Sequence, residues 1–284
     1  MANNVVKYEN TLNTAIMRKW TEREMNILFA VIAKVRDKST TSICLEMSEI
    51  KNLIQSKKNI TKNEFIQDIK SIAFKLSDLK FIEDNENEFI VYNVYNTFKF
   101  NKEMEILEVQ VHERFEYIFN KIGMEFTQFE LEEFIKINST YAKTAFRLLK
   151  QFRTTGWWKV MIEDFKSLLD IPKSYRSSDI DKHILKPILE QLGGNDDQAI
   201  FKHLKVTKHK KKGRGRGGVL TGYTFSFEKE ATVEWIDNKY GPKKKVRKES
   251  LPDWAKDDYE FKETKLSAEE EASFRKEIEQ LRNN

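Results

Sequence analysis

One cysteine, four prolines, ten glycines and four histidines leave little room for several classes of protein. A lone Cys44 excludes an internal disulfide framework and a multi-cysteine zinc site. Within "ICLEM" it is expected to be a buried small hydrophobe. His112, His183, His203 and His209 never form a His-x-His pair, which argues against a metal-dependent nicking enzyme despite nine tyrosines. The longest apolar run, "ILFAVIA" at 27–33, is far shorter than the ~20 residues a bilayer requires. The opening "MANNVVKYEN" has no basic-then-apolar leader pattern. A soluble cytoplasmic protein without membrane contact is expected.

Acid and base are unevenly spread. Residues 1–200 carry 29 Lys and Arg against 30 Asp and Glu, whereas residues 201–250 carry 15 against 5. Residues 251–284 reverse the sign, with 6 against 10. Basicity concentrated in one stretch is the footprint expected of a site for a polyanion.

Hydrophobic periodicity gives the elements. Thr21 and Glu24 predict a capping box, followed by a helix to about 36 with Met25, Leu28, Phe29, Ile32 and Val35 on one face. "TSICLEM" reads as a strand and "SEIKNLIQ" as a short helix. Thr61 and Glu64 open another helix carrying Phe65, Ile69, Ile72 and Leu76. "LKFIED" and "EFIVYNVYNTFKF" alternate as the strands of a hairpin across "DNEN" at 84–87, and "EILEVQVHE" adds a further strand.

The second half repeats that order. "TQFE" at 127–130 is expected to cap a short helix, and "STYAKTAFRLLKQFRTTG" forms a longer one stopped by Gly156. "WWKVM" reads as a strand and "IEDFKSLLD" as a helix. "SDIDKHILKPILEQLGG" is a helix whose Pro187 predicts a bend or a later start. "AIFKHLKVTKHK" and "GVLTGYTFSFEKE" are the last two strands. Two copies of helix-strand-helix-helix-β-hairpin describe an α+β fold of tandem winged helices. The division expected is 1–122 for an N-terminal copy serving assembly and auxiliary DNA contacts, 123–230 for the main DNA-binding copy, and 231–284 for a tail.

The expected wings differ in sign. "EDNENE" at 83–88 is acidic, whereas "KHKKKGRGRGG" at 208–218 presents Lys208, Lys210, Lys211, Lys212, Arg214 and Arg216 among glycines. Its glycines allow a backbone to approach a phosphodiester. "GRGRGG" is no nucleotide-binding loop, since GxxxxGK[ST] is absent and no helix follows. The helix before this hairpin offers Lys182, His183 and Lys186 outward, behind Lys173, Ser174, Tyr175, Arg176, Ser177 and Ser178. Residues at the start of a recognition helix reach base edges in the major groove. Arg176 and Lys182 can donate to guanine, and Ser177 and Ser178 suit phosphates or either base. Tyr175 has core packing as its plainer role, and His183 simple exposure. Asp179 and Asp181 are assigned to capping and solvation, since two-residue helical spacing separates them. No catalytic residue, metal site or cofactor is expected.

"NTLNTAIMRKWTEREMNIL", "STYAKTAFRLLKQFRTTGWW", "DIPKSYRSSDIDKHILKPILEQL" and "KKKGRGRG…YTFSF" together resemble the initiator proteins of theta-replicating, iteron-bearing bacterial plasmids. The resemblance spans roughly residues 4–230. It implies two winged helices, of which the C-terminal one makes the principal contacts to the repeated origin sequences (iterons). By position it points to Arg176, Lys182 and His183 for base readout, although the family often has an arginine cluster where this chain has Asp181, Lys182 and His183. It further implies a homodimer that represses its own promoter and a monomer active at the origin, with host helicase or primosome proteins as partners. A winged-helix transcriptional repressor with no replication role is the alternative. The tail carries a basic run at 241–250, then Trp254 and a narrow stripe of Phe274, Ile278 and Leu281. It reads as a partly disordered acidic tail or as a docking segment for host proteins.

Overall fold

The computed structural model describes residues 4–230 apart from 16, 18, 37, 39, 55–59, 79, 85–86, 120–125, 196–198 and 213–217. The tail, with Trp254, and the boundary expected at 122/123 therefore lie outside the described residues. None of the described helices is long and apolar enough to cross a membrane.

The chain opens with β1 (Val5–Glu9) and a 3₁₀ turn at Asn10–Thr14, then α1 (Glu22–Val35), β2 (Ile43–Glu46), α2 (Met47–Leu53) and α3 (Lys62–Asp78). The capping box before α1 is present: the Thr21 side chain accepts from the Glu24 N–H at 3.2 Å, and Glu24 accepts from the Thr21 N–H at 2.6 Å. Thr61 and Glu64 pair likewise before α3, at 3.3 and 2.9 Å. Next come β3 (Lys80–Asp84), β4 (Phe89–Asn93), β5 (Tyr95–Asn101) and β6 (Ile106–Val111).

The run "EFIVYNVYNTFKF" is not one strand. Val94 turns into the core and its carbonyl accepts the His112 N–H at 3.0 Å, which separates β4 from β5. β3 and β4 form their own two-stranded sheet, whereas the three-stranded sheet has the order β2-β6-β5. The wing of the first copy is thus β5–β6, and its turn is Lys102, Glu103, Met104 and Glu105. The hairpin around "DNEN" is an insertion between α3 and the wing. That turn carries one lysine and two glutamates, of which Glu105 pairs with Lys62 at 2.7 Å, so the acidic stretch expected at the first wing's tip lies on the inserted hairpin instead.

The link to the second copy contains α4 (Glu116–Phe119), β7 (Phe126–Glu130) and α5 (Leu131–Ile135). "TQFE" is not a capping box: it is the body of β7, which pairs antiparallel with β1 from Val5↔Glu130 to Glu9↔Phe126. Thr127 is buried there and its hydroxyl accepts from Asn13 Nδ2 at 2.7 Å, so it has no role at a helix end. The second copy runs α6 (Thr140–Gln151), β8 (Trp157–Met161), α7 (Ile162–Leu168), α8 (Ser177–Ile180), a π-turn at Asp181–Leu185, α9 (Lys186–Leu192), the short pair β9 (Gly193–Gly194) and β10 (Phe201–Lys202), then β11 (Lys205–Lys211) and β12 (Val219–Ser226). Its main sheet has the order β11-β12-β8, so in both copies the last strand lies between the other two.

Gly156 closes the turn after α6 at φ +79°, and a Cβ built there would lie 2.9 Å from the Phe227 carbonyl oxygen. Both strain and clash oppose a side chain. Gly156→Ala is expected to cost about 1–3 kcal/mol, read as a lower unfolding midpoint in urea.

The two copies share one interior. Tyr8, Phe29, Phe129, Phe134 and Phe146 form a continuous ring cluster, with Phe29 and Phe134 centroids 4.6 Å apart and Phe129 and Phe146 4.9 Å apart. α6 runs through it and is buried on more than the apolar face its periodicity suggests. Lys143, Arg147 and Lys150 are all at most 1% exposed. Arg147 donates to the Leu12 carbonyl at 2.8 Å, and Lys150 reaches Glu133 at 2.8 Å and Glu230 at 3.0 Å. Burial works against the Lys150 charge, but the two carboxylates outweigh it and hold its pKa above the ordinary lysine value. Cys44 is exposed, contrary to expectation. On β2 it is Leu45 that faces the core, and strand alternation turns its neighbour outward.

Candidate nucleic-acid interface

The second copy builds its outer face on an aromatic floor. Trp158, Phe165, Tyr223 and Phe225 stack beneath the sheet, with Phe165 and Tyr223 centroids 4.8 Å apart. The helix that packs on α6 has inward side chains Ile180, Ile184, Ile188 and Leu192, which recur every four residues. A uniform α-helix has 3.6 residues per turn, so such a stripe would drift around it. The π-turn is wider and absorbs the drift. It closes with the Lys186 N–H on the Asp181 carbonyl. Pro187 follows at once, with no N–H to give, which is why the regular ladder breaks there. The bend expected from Pro187 is realised as this π-turn, a device often found at functional sites.

Lys173, Ser174, Arg176, Ser177 and Ser178 are exposed in the approach to this helix and its first turn. The Arg176 N–H donates to the Asp179 carboxylate at 2.8 Å, so Asp179 caps the helix start. Lys182 and His183 are exposed on the π-turn, and Lys186 follows, 3.7 Å from Glu190. Tyr175 is half-buried against the core, its ring centroid 6.0 Å from that of His183. Core packing thus accounts for most of Tyr175.

The hairpin β11–β12 supplies the other cations. Lys208, Lys210, Lys211 and Lys212 are exposed. The register shifts between His209 and Lys210, a bulge that adds twist just before the tip. Arg214 and Arg216 lie outside the described residues. The chain returns at Gly218 with φ +64°, where a Cβ would meet the Lys211 carbonyl oxygen at 2.9 Å.

An ion pair joins helix and hairpin. Lys208 Nζ donates to both Asp181 oxygens, at 2.6 and 2.5 Å. Asp181 is therefore more than a solvated helix residue, and its long-range partner had no signal in local spacing. Below the pair, the buried Tyr223 hydroxyl has no hydrogen-bond partner, and its pKa is pushed up to about 12 by burial, with the Asp181 charge adding. The outward row Trp157, Lys159 and Met161 on β8 also went unread, although alternation within "WWKVM" reveals it. Among the described residues, no group of three or more His, Cys, Asp or Glu is placed to hold a metal ion.

Comparison with known proteins matches both copies. Residues 5–150 fit the family described as Initiator Replication protein, WH1, and residues 161–227 that described as Initiator Rep protein, WH2. The "Probable replication protein rep" of Bifidobacterium longum (strain NCC 2705) is 30% identical over 232 residues, covering 81% of this chain and 74% of that one. Among solved structures, the Pi initiator protein in complex with iteron DNA superposes with a TM-score of 0.57 at 12% identity, covering 80% of this chain and 99% of that one.

Proposed function

The chain belongs to the initiator replication protein family, and from that premise we propose that it binds repeated origin sequences in double-stranded DNA to start replication of a plasmid. One observation carries the reading: the Asp181–Lys208 contact joins the start of the recognition helix and the basic hairpin into a single cationic face. A helix for the major groove beside a basic hairpin for the backbone is what a winged-helix reader requires. The solved relative held on iteron DNA supports the same partner.

The division of labour follows. The second copy, within 123–230, is the main reader, with Arg176, Lys182 and His183 toward bases, while Lys173, Lys186, Lys210, Lys211, Lys212, Arg214 and Arg216 face phosphates. Ser174, Ser177 and Ser178 contribute hydrogen bonds at the helix start, and Tyr175 chiefly holds the loop. The first copy, within 1–122, serves assembly. The exposed Phe74, Phe89 and Met104 support its role as the surface of a homodimer that the monomer leaves at the origin. Such a chain performs no bond chemistry: origin opening draws on binding energy and DNA bending, with host helicase or primosome proteins following. The dimer represses the protein's own gene. A bacterial cytoplasmic location accompanies this partner set.

The test is a footprint on the replicon that carries the gene. Short direct repeats next to the gene should be protected, and Arg176→Ala or Lys182→Ala should weaken cognate binding by about 1–3 kcal/mol and random binding far less. A replicon maintained after deletion of the gene would refute the initiator role.

A further inference from the structure

Asp181 is out of place on a surface built for phosphate. It is followed by Lys182, His183 and Lys186 and faces Lys208, so a DNA strand approaching these cations also approaches a carboxylate. Its two oxygens are both engaged by the one ammonium. The side chains remain 42% and 36% exposed, and pairs at that exposure contribute about 0–1 kcal/mol to stability. Fold stability is therefore a poor reason for the carboxylate.

Three features fix it in position. Its carbonyl is held by the Lys186 N–H that closes the π-turn, so its backbone is pinned. The preceding Ile180 and the later Ile184 are buried, which sets the direction of the turn. The buried Tyr223 phenol, which has no hydrogen-bond partner of its own, lies close enough to feel the Asp181 charge, and Lys208 is the cation that engages both carboxylate oxygens. Lys208 lies mid-strand on β11, paired across the sheet with Tyr223.

We propose that Asp181 is a specificity-determining residue that withholds Lys208 from the phosphates of arbitrary duplex DNA. This rests on reading the face as a DNA surface. On random DNA the protein is free to shift until every available cation finds a phosphate, and binding there is almost wholly of that kind. On a cognate repeat the base contacts fix the helix in the groove, so one more free cation adds little. Holding Lys208 back thus lowers random binding more than cognate binding, and discrimination rises.

The experiment is fluorescence anisotropy of the full chain on cognate and random duplexes across a salt series. Asp181→Asn should steepen the random-DNA salt slope by about 0.9, so its tightening over wild type is about threefold greater at 50 mM than at 200 mM salt. Cognate affinity should move within about twofold, an expectation set by the base contacts. Adding Lys208→Ala to Asp181→Asn should return the random-DNA slope to the wild-type value. If the double variant keeps the steeper slope, simple removal of a negative charge explains the effect and the proposal fails. A Lys210→Ala/Lys211→Ala/Lys212→Ala variant separates the two levels of inference. If it flattens the slope while Asp181→Asn changes nothing, only the role of Asp181 falls; if it leaves the slope untouched, the DNA face itself is misplaced.

Discussion

Replacing Lys210, Lys211, Lys212, Arg214 and Arg216 together with Ala should weaken binding to cognate and random DNA by nearly the same factor. The reason is the kind of contact a hairpin tip can make. Phosphate contacts release counterions and carry no sequence information, whereas base contacts discriminate. Each lost phosphate contact should flatten the log–log salt slope by about 0.9, so five would flatten it by up to about 4.5. At physiological salt the random-DNA signal should be nearly abolished, and the ratio between cognate and random affinity should barely change. The three exposed lysines and the return at Gly218 support this assignment. The opposite pattern, a hairpin variant that loses only cognate binding, would give the hairpin the reading role and the helix the anchoring role. Binding measured on both duplexes across a salt series decides it.

The second large effect concerns pH and arises at a buried lysine of α6. Lys143 is fully buried, with Asn26 Oδ1 at 2.7 Å and the Phe134 carbonyl at 2.5 Å as acceptors. A neutral amine has two N–H donors, and these two acceptors match them. Burial pushes the Lys143 pKa down to about 7, only partly opposed by Glu22. A lysine depressed in the folded state binds fewer protons there than in the unfolded chain, where its pKa is about 10.4. Stability must therefore rise with pH from about 7 toward 10, at a slope approaching ~1.4 kcal/mol per unit. The buried Tyr8 and Tyr223 act in the other direction higher up. Burial raises both to about 12 when folded, so their contribution is present below pH ~10 and lost above it. Urea unfolding from pH 7 to 11 should give a stability maximum near pH 10, and Lys143→Met should abolish the rising limb. A rising limb that survives in Lys143→Met would mean that another group titrates there.

Much of the fold was legible because its signals are local. The Thr21–Glu24 and Thr61–Glu64 caps, the helical stripes and the alternation in "WWKVM" need only neighbouring residues to be read. The misreadings share one cause, partners distant in sequence. "TQFE" has the spacing of a capping box, yet β1 claims it as a strand. "EFIVYNVYNTFKF" looks continuous until Val94 finds the core and His112 takes its carbonyl. Cys44 lies in an apolar run, but pairing of β2 with β6 fixes the face on which it falls. The exposed lysines of the proposed DNA face were readable from charge alone. The Asp181–Lys208 contact was not, since only the folded sheet brings residue 208 beside residue 181.

Pairing of Val5–Glu9 with Phe126–Glu130 also governs how the chain is made. A ribosome adds roughly 5–20 residues per second, so β1 emerges on the order of ten seconds before the strand it needs. During that interval its alternating Val6 and Tyr8, both wholly buried in the finished protein, have no sheet to enter. A strand made before all of α1 to β6 is thus satisfied only after them. Until β7 emerges, that edge of β1 is open to chaperones and to neighbouring nascent chains.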